Sequence, residues 1–207
     1  MSKVLLAIPT TGAIDAITSA AASRLALQGS AADYITAKGR PVDHVRNGLI
    51  MQFLAGDWTH LFLLDSDVGP PLDCLSRLLA LARPLASGCY PVIQQGVLKW
   101  AISNKNSDGH YRLLEDPSLP TGPFEADAGG AGCLLISRAV FDRVKWPWFK
   151  WVENPDGSQI SEDIYFFDKC AEAGIRVTIE PDIICDHFKD VNITALMRLK
   201  MNKKGAL

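Results

Sequence analysis

Apolar residues run unbroken from Val4 to Ile8 and stop at Pro9-Thr10-Thr11-Gly12. A continuous apolar run, in place of strict alternation, predicts a strand covered on both faces. The same signal returns more strongly at 60–64, which ends in Asp65-Ser66-Asp67. Between these runs, residues 13–28 carry Ile14, Ile17, Ala21 and Leu25 at helical spacing, with Gly29 as a stop. Residues 33–36 read as a second strand. Residues 41–54 read as a helix whose apolar face is Val45, Leu49, Ile50 and Phe53.

Downstream, Pro71 suits the first turn of a helix over 71–82. Strands are predicted over 86–93, 97–103 and 110–114. The glycine-rich bend 127–132 feeds a strand at 133–136 and a short helix over 139–144. Residues 146–157 have no regular period and read as a loop, with Pro155 and Gly157 suited to a mobile lid. A helix over 161–173 presents Ile164, Phe167 and Cys170 on one face and stops at Gly174. Strands at 176–180 and 183–185 and a closing helix over 191–201 complete the chain. This order predicts an α/β fold, a mixed but mainly parallel sheet flanked by helices. No repeat or linker interrupts it, so one domain over 1–207 is expected.

Composition narrows the possibilities further. Of the 207 residues, 48% are apolar and 21% charged, enough apolar material for a core without staples. The formal charge of −2 excludes a generally basic nucleic-acid binder. One basic cluster remains, Arg198, Lys200, Lys203 and Lys204, and cations suit the end of a C-terminal helix. The five cysteines are odd in number and lack CxxC spacing, which predicts reduced core thiols. The run 4–8 is too short for a signal peptide or a membrane span. A soluble, cytoplasmic protein without a transmembrane segment is the expectation.

Ligands of open α/β sheets bind beyond the carboxyl ends of the strands. Asp65 and Asp67 stand at such an end. In extended chain they point the same way and form a concentrated negative site, which a hard divalent cation relieves. A polar turn is the plain alternative. Glu162 and Asp163 open a helix behind Ser161. Acidic residues there suit the helix dipole and Ser161 suits the cap, or one carboxylate serves as a general base. His187 ends an apolar strand, either as a surface-paired histidine or as a neutral metal ligand. Arg46 lies on a helix, as a solvated cation or a phosphate contact. There is no P-loop, no G-x-S-x-G, no HExxH and no dinucleotide fingerprint.

Taken in order, Arg46-Asn47, the strand 60–64 with Asp65-Ser66-Asp67, Gly129-Gly130-Ala131-Gly132, Glu162-Asp163 and His187 resemble nucleotide-sugar glycosyltransferases of the GT-A fold, most closely the compact family 2 type. The likeness spans roughly residues 3–188. It implies a single GT-A domain with a nucleotide-binding half over about 1–100, an acceptor half over about 101–190 and a tail over 191–207. Pro9, Thr10 and Thr11 would line the nucleoside pocket, with Arg46 and Ser66 on the donor. Asp65, Asp67 and His187 would form the Mn2+ or Mg2+ site, with Asp67 and His187 on the metal and Asp65 on a metal-bound water or the ribose. Asp163 would be the catalytic base, with Glu162 assisting it or binding acceptor, and Asp127 and Gly130 would contact donor sugar or acceptor. The implied donor is a nucleotide sugar, UDP-linked on family frequency. The acceptor stays open among glycan, protein, small molecule and modified nucleic acid.

Other readings differ at particular residues. A retaining transferase shares the DxD. A sugar-nucleotide pyrophosphorylase calls for a cation in the first loop, which here is Pro9-Thr10-Thr11-Gly12-Ala13. A non-catalytic nucleotide- or carbohydrate-binding module has no need of Asp65, Asp67, Asp163 and His187 together.

Overall fold

A computed structural model describes residues 2–27, 33–115 and 118–189, together with 191, 192, 194, 197, 198 and 201. The elements run β1(Val4–Thr10), α1(Ala16–Leu27), β2(Asp33–Lys38), α2(Val42–Ala55), β3(His60–Leu64), β4(Val68–Gly69), α3(Cys74–Ala80), β5(Leu85–Cys89), β6(Pro91–Gln94), β7(Val97–Trp100), β8(Ile102–Lys105), β9(Tyr111–Leu113), β10(Phe124–Ala126), β11(Ala128–Gly129), β12(Cys133–Ser137), α4(Arg138–Arg143), β13(Val152–Glu153), β14(Gln159–Ile160), α5(Glu162–Glu172), β15(Val177–Ile184), β16(Asp186–Lys189) and β17(Val191–Asn192).

Seven strands form one mixed sheet in the order β10-β15-β5-β12-β3-β1-β2. β1 pairs in parallel with β2 and β3, and β15 with β5. β12 is antiparallel to both its neighbours, and β10 is antiparallel to β15. Both faces are covered, which is why the strands read as continuous apolar runs. Leu5, Ala7, Leu61 and Leu63 pack on one face against Leu49, Ile50 and Phe53 of α2 and Phe166 and Phe167 of α5. Leu6, Ile8, Phe62 and Leu64 pack on the other against Ala22 and Leu25 of α1 and Leu75 and Leu78 of α3. The architecture is a GT-A fold. The carboxyl end of α2 is tied down by Arg138, whose guanidinium donates to the carbonyls of Phe53, Leu54, Gly56 and Trp58. The last carbonyls of a helix have no partner within it, and Arg138 supplies one.

Several boundaries differ from the sequence pattern. The strand expected over 86–93 breaks at Tyr90, where the chain leaves the sheet and β6 turns back on β7. The run 97–103 divides likewise into β7 and β8, and Ala101 N–H donates to Tyr90 O at the crossing, 3.0 Å. The strands expected at 176–180 and 183–185 are one strand, β15, which carries Pro181 across a shift of register between Ile179 and Ile184. A bulge accepts a proline because its N–H is not needed there. The loop expected over 146–157 contains β13, paired with β14. The closing helix expected over 191–201 opens instead as strand β17 on β16, while the described residues 194, 197, 198 and 201 are helical as expected. Its residues 193, 195, 196, 199 and 200 lie outside the described residues, as do Gly29, Lys200, Lys203 and Lys204 of the readings above.

All five cysteines are free and buried, as expected of core thiols. Burial pushes the Cys170 thiol up to about 12. Among the described residues, no helix is long and apolar enough to cross a membrane.

Candidate active site

A cavity of about 740 Å3 opens at the carboxyl ends of β1 and β3. Its floor is the fork of Arg46. This residue faces inward from α2 and is 4% exposed. Nη2 donates to Asp65 Oδ1 at 2.6 Å, and Nη1 donates to Glu162 Oε1. The guanidinium lies over the Phe149 ring, 5.5 Å from its centroid. Burial alone would lower the Arg46 pKa, but Asp65, Glu162 and Asp163 outweigh it and raise it. The cation is therefore permanent. Glu162 is pushed up by burial, with Arg46 opposing.

The two aspartates do not lie along an extended chain. β3 ends at Leu64, and Val68 N–H donates to Asp65 O at 3.1 Å, closing a turn. The carboxylates therefore part. Asp65 faces Arg46, and Asp67 faces β16, which runs antiparallel to β4 with His187 opposite Val68. Asp67 Oδ2 lies 3.5 Å from His187 Nε2 and 2.5 Å from Lys189 Nζ. Burial would raise the Asp67 pKa, but hydrogen bonds and charge from His187 and Lys189 prevail and hold it at about 2. His187 is buried, and its Nδ1 stands 2.7 Å from Pro91 O. A carbonyl accepts only, so Nδ1 carries a proton toward Pro91 O, and Nε2 is the ring nitrogen that faces Asp67.

This pair suits a divalent ion. Two cis donors of an octahedral ion, each about 2.1 Å from it, lie about 3.0 Å apart, so the 3.5 Å between Asp67 Oδ2 and His187 Nε2 would have to close by about half an ångström around one. Among the described residues, no group of three His, Cys, Asp or Glu side chains converges on one point, so Asp67 and His187 are at most two ligands of any ion held here. Mg2+ commonly keeps few protein ligands and takes the rest from phosphate and water.

Pro9, Thr10, Thr11 and Ser66 line the same cavity. The Thr10 hydroxyl donates to Ala13 O at 2.7 Å and accepts from Gly12 N–H, which fixes the turn after β1. Ser66 O accepts from Asp15 N–H at 2.7 Å and anchors the DxD turn to the start of α1.

Asp163 and Gly130 line a second, smaller cavity of about 300 Å3. Ser161 does not cap α5 through its side chain. Its hydroxyl donates to Asp163 Oδ1, which also accepts from Ile164 N–H at 2.8 Å. One carboxylate oxygen is anchored, and Oδ2 has no such bond among the described residues. Asp127 lines neither cavity. It accepts from Lys105 N–H at 2.7 Å and pairs with Arg176 at 3.0 Å, so its carboxylate is spent on holding β8 near the start of β15.

Two residues outside the sequence pattern belong here. Tyr90 lines both cavities. Its hydroxyl accepts from Gly132 N–H at 3.0 Å, and its ring meets that of His187 edge-on at 5.2 Å. A Cβ at Gly130 would stand 2.1 Å from the Tyr90 hydroxyl, so the glycine run gives the tyrosine its room. Lys189 follows His187 by two residues, and that i, i+2 spacing on a strand is the signal that could have found it.

No protein-family model matches the sequence, and no curated protein matches it. Similar solved structures share the fold. The crystal structure of A197 from STIV superposes with a TM-score of 0.62 at 19% identity, over 90% of this chain and 86% of that one. The crystal structure of GalNAc-T7 with UDP, GalNAc and Mn2+ superposes with a TM-score of 0.57 at 12% identity, over 91% of this chain and 44% of that one.

Proposed function

We propose that the chain is a metal-dependent glycosyltransferase. It moves a sugar from a nucleoside-diphosphate sugar, UDP-linked by preference, to an acceptor hydroxyl with inversion. The observation that carries this reading is the pairing of Asp67 and His187 across one cavity, with a half-anchored carboxylate, Asp163, in the cavity next to it. The fold shared with a structure that contains UDP, GalNAc and Mn2+ supports it.

In this reading Pro9, Thr10, Thr11 and Ser66 bound the nucleoside side. Asp67 and His187 hold Mn2+ or Mg2+, which when bound supplies a Lewis acid for the departing diphosphate. Lys189 brings a second positive charge to the same place. Arg46 keeps Asp65 and Glu162 in position, so Glu162 acts as a positioning residue. Asp163 takes the acceptor hydroxyl proton as that oxygen bonds to the anomeric carbon. The bond from that carbon to the diphosphate breaks, and the nucleoside diphosphate leaves with the electron pair.

Thermal shift with UDP, GDP, ADP and their sugar conjugates, each with and without Mn2+, tests this. A ligand at 100 times its dissociation constant adds about 2.7 kcal/mol. A shift with one nucleotide that needs the metal is expected. No shift with any nucleotide in folded protein would overturn the reading.

A further inference from the structure

We propose that the acceptor is an uncharged saccharide, held in a cleft that runs outward from Asp163 and stacked on Trp151. This rests on the glycosyltransferase reading and names the substrate class that reading leaves open.

The three cavities adjoin one another. The cavity that holds Asp163 shares Tyr90 and Val92 with the large donor cavity. On its far side Gln94, Tyr111, Ser161 and Ile164 are common to it and to a third cavity of about 750 Å3. Trp151 borders both the donor cavity and this outer one. A molecule in the outer cavity thus lies next to both the Asp163 cavity and the donor cavity.

The outer wall is firm. β13 and β14 form a hairpin closed by Asn154 N–H to Ser158 O and Gly157 N–H to Asn154 O, both 2.9 Å. Gly157 has φ of +81°, which a side chain would strain. Trp151 precedes this hairpin, and its N–H donates to Asp43 Oδ2 at 3.3 Å. The indole is 46% exposed, unlike Trp148, which is 6% exposed and bonded to Val144 O. Of the three tryptophans in this segment, Trp151 is the exposed one that borders a cavity among the described residues. A large, rigid aromatic face beside amide and hydroxyl groups matches the apolar C–H face and hydroxyl rim of a sugar ring.

Charge decides against an anionic acceptor. Among the outer cavity's lining residues the fixed cation is Lys105, against Asp156 and Asp168. Lys105 Nζ is spent on Asp168 at 2.7 Å and on the Tyr111 ring at 5.0 Å. Tyr111 O–H donates to the same carboxylate oxygen at 2.7 Å. Phosphate recognition needs forked or clustered cations aimed outward, and this lining has two carboxylates instead.

Saturation-transfer NMR tests this on the full chain with UDP and Mn2+ present. The probes are methyl hexopyranosides, maltotriose, glucose 6-phosphate, a Ser/Thr peptide and a thymidine oligonucleotide. Saccharide signals are expected in wild type and in W151F, with at least a tenfold weaker response in W151A. UDP binding is read on each variant by thermal shift. Saccharide binding that persists in W151A overturns the role of Trp151. Binding of the phosphosugar, peptide or oligonucleotide in place of neutral saccharides overturns the acceptor class, as does no probe binding in UDP-loaded protein. Failure of UDP itself to bind overturns the reading beneath, and this proposal with it.

Discussion

Arg46 Nη2 stands 2.6 Å from Asp65 Oδ1, while the other end of the same guanidinium meets Glu162. One buried fork therefore joins the end of β3 to the start of α5. Deleting one partner of a buried ion pair costs about 3–5 kcal/mol, because the remaining charges stay buried and unpaired. R46M is expected to lose stability of that order in urea denaturation. R46K keeps a charge but not two parallel donors, so it is expected to lose less. An R46M protein as stable as wild type would mean that the fork adds nothing to stability.

Asp67 gives the fold an acid-sensitive contact. Its pKa in the folded chain is held at about 2 by His187 and Lys189, below the ordinary value near 3.9 of an unfolded chain. A depressed carboxylate stabilises above its unfolded pKa, and that contribution fades as pH falls through the folded value. The stability difference between wild type and D67N is therefore expected to be full above about pH 5 and to be lost by about pH 1. The side chain is 29% exposed, so screening limits the difference to about 1 kcal/mol. Denaturation of chelator-treated protein across that range checks it. A difference that does not change with pH would remove the assignment.

Gly130 and Tyr90 are predicted to be strongly non-additive. A methyl at 130 would meet Tyr90 hydroxyl, Cζ and Cε1 at 2.1, 2.3 and 2.6 Å. Tyr90 is 6% exposed and cannot swing away freely. G130A should cost about 1–3 kcal/mol as an overpacked core substitution, and far less in a Y90A background. Y90F leaves the Gly132 N–H without its acceptor, at about 1–3 kcal/mol. Additive costs in the G130A/Y90A cycle would show that the two do not share the space.

The hydrophobic pattern carried most of the fold, because a sheet covered on both faces writes its strands as unbroken apolar runs. β1 and β3 were legible for that reason. Tyr90 and the Ala101 crossing were not, since leaving a sheet depends on what the chain pairs with next and not on local propensity. The DxD was legible as a strand end, but its turn was not, so the two carboxylates were expected side by side. Their partners, Arg46 from upstream and Lys189 from 122 residues downstream, are tertiary facts. Asp127 was expected at the donor sugar or acceptor, and its pairing with Arg176 from a distant loop was hidden for the same reason.

Asp163 is where the proposed chemistry can be separated from the proposed binding. Its Oδ1 is engaged by the Ser161 hydroxyl and by Ile164 N–H, so the carboxylate is oriented before any ligand arrives. A base acts through its second oxygen, and asparagine at this position keeps the shape but cannot accept the proton. D163N is expected to bind UDP with Mn2+ within about twofold of wild type and to lose sugar transfer by roughly 10²–10⁴-fold, the usual contribution of a positioned base. S161A removes one anchor of Oδ1 and leaves the base. It should lower transfer by less, about tenfold, because the carboxylate is held less firmly in place. Nucleoside diphosphate release with a saccharide acceptor measures both variants. Full transfer in D163N, with donor binding intact, would move the base elsewhere in the cavity.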